Sequence, residues 1–160
     1  MTPRSRRPLL VAAALALATA SLGGALTDIG PWYRGLAKPA FQPPDWLFGP
    51  AWTLIFALCA VAGAHAWNRA YGSHQRRRVL TLFAANAVLN VGWSLLFFHW
   101  RRPDWALVEV AFLWVSILAL IVVLGRQAPR VRWLLAPYLA WVSFASVLNA
   151  AIVRLNAPFG

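Results

Sequence analysis

The stretch WYRGLAKPAFQPP, residues 32–44, separates two long apolar segments of the sequence. Pro39, Pro43 and Pro44 have no backbone donor, and each disfavours the α-helical conformation of the residue before it. The stretch is therefore predicted to be a shaped loop and not a helix. Because long apolar segments flank it on both sides, we expect this loop to lie at a membrane surface.

The composition of the chain is that of a membrane protein. Of its 160 residues, 61% are hydrophobic, and the mean hydropathy is +0.60, which is too apolar for a soluble domain of this size. Five apolar segments, each about twenty residues long and able to cross roughly 30 Å of hydrocarbon, lie at 8–27, 47–67, 79–98, 105–124 and 134–153. We predict an all-α membrane protein, a single domain over residues 1–160 in which five transmembrane helices form a bundle.

The connections between these segments differ in length. The first, 28–46, is long and rich in proline and aromatic residues, whereas the others are short, so consecutive helices are expected to be antiparallel neighbours. Pro137 lies within the fifth segment and is expected either to kink that helix or to delay its start.

The first apolar segment has two interpretations. Arg4, Arg6 and Arg7 followed by an Ala/Leu run are typical of a cleavable signal peptide. The run continues to Leu26, however, and this length favours a permanent span. Small residues at every fourth position indicate a close-packing stripe, either within the bundle or between two copies, at Ala12, Ala16, Ala20 and Gly24.

The chain is strongly basic, with a formal net charge of +11. The basic residues are spread over the ends of the apolar segments, which indicates membrane anchoring and not a nucleic-acid partner. With five spans, the positive-inside rule places the N-terminus in the cytoplasm and the loop 28–46 on the opposite side of a plasma-type membrane. Most of the 15 basic residues then share the N-terminal side: Arg4, Arg6, Arg7, Arg69, Arg76, Arg77, Arg78, Arg126, Arg130 and Arg132.

Tryptophan is unusually frequent, with 10 residues, and those at segment ends are explained by an interfacial belt. Trp52 and Trp141 lie instead within apolar segments, on helix faces shared with other aromatic residues. The third segment presents Asn86, Asn90 and Trp93 at helical spacing. Because an amide facing lipid is costly, these asparagines either cement helix contacts, which is the favoured interpretation, or line a polar part of a cavity.

No conventional catalytic or metal-binding motif is present. The histidines have no second ligand at metal-binding spacing, so a metal site is not expected. Glu109 is the only carboxylate well inside an apolar segment and is a functional candidate. Snorkelling, or pairing with Arg101 or Arg102, explains it equally well. What remains is an aromatic cavity suited to a flat, largely apolar ligand.

Four fragments, taken in order, resemble the TspO/MBR family of tryptophan-rich sensory proteins and translocator proteins, also called peripheral-type benzodiazepine receptors. They are WYRGLAKPAFQPPDWLFGPAWTLIF at 32–56, NVGWSLLFF at 90–98, WALVEV at 105–110 and PYLAWVSFASVLNAAIVRLN at 137–156. The resemblance covers nearly the whole chain. It implies a five-helix membrane receptor, usually a homodimer, that needs no cofactor and binds tetrapyrroles such as protoporphyrin IX, with benzodiazepine-type drugs and sterols in some members.

By position, the resemblance implies that the loop closes the pocket as a lid through Trp32, Lys38, Pro39, Phe41, Pro43 and Pro44. The lining that it implies is Trp46, Trp52, Asn90, Trp93, Trp105, Tyr138, Trp141, Phe144, Ala145 and Leu148. It also implies light-dependent porphyrin breakdown, with Trp52 and Trp141 as the reactive pair that donates electrons to the bound ring. Two alternatives follow from the resemblance: an enzyme that degrades porphyrin in light, and a receptor that only binds it.

The sequence departs from the family in one place. The sterol-recognition pattern needs an aromatic residue between Leu148 and Arg154, and none is present there. Tight sterol binding is therefore not predicted. Three functions fit the sequence: a porphyrin receptor that regulates tetrapyrrole metabolism, a membrane carrier for porphyrins or other flat ligands, and a regulatory scaffold. The odd number of helices disfavours a carrier built from inverted repeats.

Overall fold

The computed structural model describes residues 6–159, which form helices and no strands. Within these residues, five helices are long and apolar enough to cross a membrane. The predicted all-α membrane fold with five spans is therefore confirmed, while Arg4 lies outside the described residues. The helices are α1 (Arg7–Leu26), α2 (Pro31–Gly35), α3 (Phe48–Arg69), α4 (Gly72–Ser94), α5 (Pro103–Ala119), α6 (Gly125–Gln127) and α7 (Arg130–Asn156).

Several helices extend beyond the apolar segments seen in the sequence. Helix α4 begins at Gly72 and continues into a wider, π-helical turn at Leu95–His99, and α5 continues into a similar turn at Leu120–Leu124. The residues that α4 adds before its apolar segment, 72–78, are polar or basic apart from Gly72, because a helix need not stop where the hydrocarbon stops. Pro137 lies inside α7, which begins at Arg130, so this proline does not delay the start of the helix.

The spanning helices form a closed ring in the order α1, α3, α7, α5, α4, with α4 packed against α1. The expectation that all consecutive helices are close neighbours fails at α3 and α4, which make only a small contact. Helix α3 lies between α1 and α7, and α4 lies between α1 and α5. The main buried core lies among α3, α5 and α7, with buried side chains at Ile55, Val110, Leu113, Ile117, Leu135 and Val142.

One prediction about the loop 28–46 is wrong, namely that the whole stretch 32–44 is non-helical. Residues 32–35, expected to be non-helical, belong to the single turn of α2. Pro31 occupies its first turn, where a missing donor is harmless. Within residues 32–44, the first residue restrained by a following proline is Lys38. From Leu36 to Pro44 the chain is not helical, as predicted. A 3₁₀ turn, Asp45–Leu47, then leads into α3.

Candidate functional site

A cavity of about 620 Å³ lies between the five spanning helices and the loop. Its wall is mostly apolar, and it receives side chains from every member of the helical ring. Helix α1 contributes small residues, α5 contributes Val110 and Leu113, and the loop segment contributes Ile29, Tyr33 and Asp45. The ring order of the helices creates this space, because α1 closes the gap between α3 and α4.

Three tryptophans from three different helices face the cavity: Trp52 on α3, Trp93 on α4 and Trp141 on α7. The Trp52 ring lies 5.6 Å from that of Phe56, centroid to centroid, and the Trp93 ring stacks on Phe97 at 5.0 Å. Aromatic pairs at these separations attract one another beyond the effect of burial alone. The indoles are therefore held by neighbouring rings and present an aromatic surface to the cavity.

Hydrogen bonds of the Asn149 side chain hold together the helices behind these rings. Trp93 Nε1–H donates to Asn149 Oδ1 at 3.1 Å, and Asn149 Nδ2 donates to the Pro103 carbonyl at 2.9 Å. This chain of bonds joins α4, α7 and the start of α5. Because a buried polar group without a partner is costly, both bonds favour this single arrangement of the three helices.

A second polar network lies deeper in the bundle. Asn90 Nδ2 donates to the Tyr138 hydroxyl at 3.1 Å, and that hydroxyl donates to Asn86 Oδ1 at 3.2 Å. Asn86 Nδ2 in turn donates to Ser116 Oγ at 2.8 Å. These contacts agree with the favoured interpretation, in which the asparagines hold neighbouring helices together. Asn90 additionally reaches the cavity wall, so the two interpretations of that residue are compatible.

The structure brings together six of the residues that the sequence placed in the pocket: Trp52, Asn90, Trp93, Trp141, Ala145 and Leu148. Tyr138 lies behind the wall, with its ring 6.1 Å from Trp52, and Phe144 packs 5.8 Å from Trp141. These two residues support the lining without forming it. The binding role of all these residues stays a prediction.

Trp46 and Trp105 lie outside the cavity wall. Trp46 is 71% exposed and follows Asp45, whose side chain takes the inward position in the same turn. Trp105 is half-exposed and lies 4.5 Å beneath the Arg102 guanidinium. It stands five positions before Val110, on a different face of α5. Both positions are typical of interfacial tryptophans.

The loop residues lie above the cavity at one end. Trp32 packs edge-on against Phe97 at 6.2 Å, Lys38 Nζ lies 4.1 Å above the ring of Tyr33, and Phe41 meets Phe144 at 6.4 Å. Three of the four loop prolines were predicted to help to close the pocket, and they shape the chain without lining the cavity: Pro39, Pro43 and Pro44. The loop therefore covers this end of the cavity, and Tyr33 is its main lining side chain.

Comparison with known proteins agrees with this architecture. A model of the TspO/MBR family matches residues 10–155. The chain belongs to the TspO/MBR family. Together with its five apolar helices, this membership makes it an integral, multi-pass membrane protein.

Relatives of this TspO/MBR chain come from bacteria, archaea and animals. The tryptophan-rich protein TspO of Chlorobaculum tepidum is 39% identical over 78% of this chain and 79% of its own. The protein of the same name from Archaeoglobus fulgidus is 38% identical, over 92% and 97%. The human translocator protein is 33% identical, over 78% and 75%.

Helix α1 supplies a cavity wall that the sequence did not predict. Its lining residues are Ala13, Ala16, Leu17, Ala20, Gly23 and Gly24. Three of these residues belong to the small-residue stripe found in the sequence. That stripe indicated close packing only and gave no sign of a cavity. Because that part of the stripe faces the cavity, its position favours a role within one bundle over an association face.

A polar cluster at the loop end of the cavity was also missed. The Tyr33 hydroxyl donates to Asp45 Oδ1 at 3.2 Å, and Gln42 Nε2 donates to the Tyr33 hydroxyl at 3.2 Å. Burial, with help from the Asp45 charge and the hydrogen bond to Asp45, raises the pKa of Tyr33 to about 12. The phenol therefore stays protonated and holds the two halves of the loop together.

Glu109 does not form the pairing that the sequence offered as one interpretation. Among residues 6–159, neither of its carboxylate oxygens has a hydrogen-bond partner. Arg102 instead binds Asp104, and the Arg101 guanidinium lies 5.9 Å from the ring of Trp32. Glu109 Oε1 lies beside Gly92 of α4, where an added Cβ would be in ordinary van der Waals contact with it at 3.8 Å.

Proposed function

We propose that this TspO/MBR protein is an intramembrane receptor for porphyrin-type tetrapyrroles such as protoporphyrin IX. The supporting observation is the cavity of about 620 Å³ whose wall carries Trp52, Trp93 and Trp141. Small-molecule sites typically enclose roughly 300–1,000 Å³ and combine an apolar wall with few polar groups. A flat aromatic macrocycle gains from stacking against indole and phenyl rings on several sides.

The charges around the cavity favour one orientation of the ligand. Among residues 6–159, no arginine or lysine lines the wall, and its Asp45 would repel a carboxylate. Basic side chains lie instead beside the loop: Lys38 above the ring of Tyr33, and Arg101 beside Trp32. We therefore place the macrocycle between the tryptophans and its propionates at the loop, where Lys38 and Arg101 provide charge-assisted contacts.

Quenching of tryptophan fluorescence by protoporphyrin IX in detergent tests this receptor. We expect saturable quenching, with a smaller amplitude in Trp93→Phe, because that indole faces the cavity. Trp46→Phe is the matched control, since Trp46 points away from the cavity, and its quenching should stay close to that of the wild type. Quenching that does not saturate contradicts the proposal.

A second activity, light-driven loss of the bound porphyrin, is supported by the position of Trp52 and Trp141 on the cavity wall. Light excites the macrocycle, and an adjacent indole transfers one electron to it, leaving an indole radical cation and a porphyrin radical anion. Dioxygen, the oxidant, then adds to a bridging carbon of the radical anion, and the adduct returns the electron to the indole radical cation. Two C–O bonds form as one C–C bond of the bridge breaks, so one dioxygen is incorporated into an opened macrocycle and the indole is restored. The protein's contribution is to hold donor and acceptor in contact.

A carrier remains the alternative function for the same cavity. Porphyrin uptake into vesicles that contain the protein, compared with empty vesicles, distinguishes transport from binding. Binding of benzodiazepine-type drugs and assembly as a homodimer also stay predictions.

A further inference from the structure

The two ends of the helical bundle differ in charge. The end opposite the loop carries nine exposed arginines among the described residues, in 6–7, 69, 76–78 and 126–132. The chain has only four acidic residues, and none lies at this end: three belong to the loop end and Glu109 lies within α5. The arginine-rich end therefore has no carboxylate of its own to neutralise it.

A groove at this arginine-rich end combines basic and apolar side chains. It lies between the end of α3 and the start of α4 and is lined by Trp67, Gly72, Ser73, Arg76, Arg77 and Leu80. The Arg76 guanidinium lies 5.2 Å from the ring centre of Trp67, and Leu80, one turn further along α4, is 52% exposed. The groove is thus basic at its outer edge and apolar towards the membrane.

The position of the groove matches the boundary between lipid headgroups and hydrocarbon. The apolar part of α4 begins at about residue 79, so the guanidinium groups of Arg76 and Arg77 lie at headgroup level. Guanidinium groups bind phosphate oxygens through two parallel hydrogen bonds. Trp67 and Leu80 lie where the first methylenes of an acyl chain would pass.

We propose that this groove binds the headgroup of an anionic phospholipid. The phosphate contacts Arg76 and Arg77, and the upper part of the acyl chains packs against Trp67 and Leu80. Charge complementarity selects this ligand, because clustered arginines beside a membrane helix attract anionic lipids. An arginine cluster that served only to orient the chain would need no groove and no apolar contact beside it.

Lipid retention by the purified full-length chain tests this site. The protein in mixed micelles is titrated with phosphatidylglycerol or phosphatidylcholine, and the retained lipid is counted by native mass spectrometry. We expect the wild type to retain phosphatidylglycerol preferentially. Arg76→Gln with Arg77→Gln should weaken that retention by roughly tenfold or more, the effect of losing two arginines at a lipid surface.

Two matched double variants test whether lipid retention depends on the groove itself or only on the overall positive charge of the protein. Arg34→Gln with Arg154→Gln removes the same charge at the loop end and should leave retention unchanged. Arg126→Gln with Arg130→Gln removes it at the arginine-rich end, away from the groove, and should have a much smaller effect. Equal loss in the second control overturns the groove as the site. Circular dichroism and gel filtration check that every variant is folded.

Inorganic phosphate distinguishes a lipid from a free anion. An excess of phosphate should not displace phosphatidylglycerol, because phosphate lacks the apolar contacts with Trp67 and Leu80. Displacement by phosphate, or equal retention of the two lipids by the wild type, overturns the proposal.

Discussion

Asn156 holds the backbone of Ala37 through two hydrogen bonds, each 2.8 Å long. The Ala37 N–H donates to Asn156 Oδ1, and Asn156 Nδ2 donates to the Ala37 carbonyl. The two residues are 119 positions apart, so this contact ties the middle of the loop 28–46 to the end of α7. Helix α7 also carries Trp141 of the cavity wall, and the loop is therefore anchored to the helix that helps to form the site.

Asn156→Ala is expected to loosen the loop. Each neutral hydrogen bond contributes about 1 kcal/mol net, so amide exchange over residues 28–46 should accelerate by roughly tenfold or more, as measured by hydrogen–deuterium exchange. Asn68→Ala, an exposed asparagine at the far end of α3, is the control and should change nothing in the loop. Unaltered loop exchange in Asn156→Ala would show that the anchor is unimportant.

The fold class was predictable because a bilayer accepts few structures. Five apolar segments of about twenty residues must become helices, since only helices satisfy their own backbone groups in lipid. The order of the helices in the ring was not predictable from hydropathy. Apolar residues face lipid as well as neighbouring helices. The hydropathy pattern therefore does not show that α3 packs more extensively against α7 than against α4.

The candidate site was predictable where a residue departed from what lipid favours. Indoles within apolar segments, at Trp52 and Trp141, and an amide at Asn90 have no reason to face lipid, and the structure places all three at the cavity. The small residues of α1 gave no such signal, because close packing explains them equally well. Trp46 and Trp105 entered the prediction through the family resemblance, and no local pattern shows which way their rings point.

The raised pKa of Tyr33 predicts a loss of stability in strong alkali. The phenol has a pKa of 10.0 when unperturbed and about 12 in the folded protein. The neutral phenol therefore stabilises the fold below pH 10, and this contribution is lost as the pH rises from about 10 towards 12. We expect the wild-type Tm to fall more over this window than that of Tyr33→Phe.

Asp45→Asn should lower the pKa of Tyr33 in a tyrosinate absorbance titration, because the Asp45 charge and its hydrogen bond both raise that pKa. An unchanged titration would exclude an influence of Asp45.

The bond between Trp93 and Asn149 should be measurable as a coupling energy. Trp93→Phe, Asn149→Ala and the double variant form a cycle, and unfolding in mixed micelles gives each free energy. We expect a coupling of about 0.5–1.5 kcal/mol, in the range found for polar contacts within membranes. A control cycle combines Asn149→Ala with Trp133→Phe, at an 82% exposed site. The free-energy changes of its two single variants should be additive. Additivity in both cycles would show that the hydrogen bond contributes nothing.

Gly24→Leu should fill part of the cavity without disturbing the bundle. A Cβ at Gly24 meets no atom within 4 Å, and the residue lines the cavity. Leucine is also a better helix former than glycine, so the Tm should not fall. Protoporphyrin IX should bind about tenfold more weakly or worse, because the added side chain overpacks the occupied site. Leu22→Phe enlarges an exposed position of α1 and should leave binding unchanged; equal binding by Gly24→Leu would place the ligand elsewhere.

Trp52→Phe and Trp141→Phe should separate binding from photochemistry. Phenylalanine keeps an aromatic surface at the cavity wall, so protoporphyrin affinity should change by no more than about threefold. It is a much poorer electron donor than indole, and the loss of porphyrin absorbance under illumination should slow by roughly tenfold or more. Trp46→Phe, outside the cavity, should react as the wild type does. If illuminated loss continues at the wild-type rate in both cavity variants, the two indoles are not the electron donors, and the receptor function stands without the photochemical one.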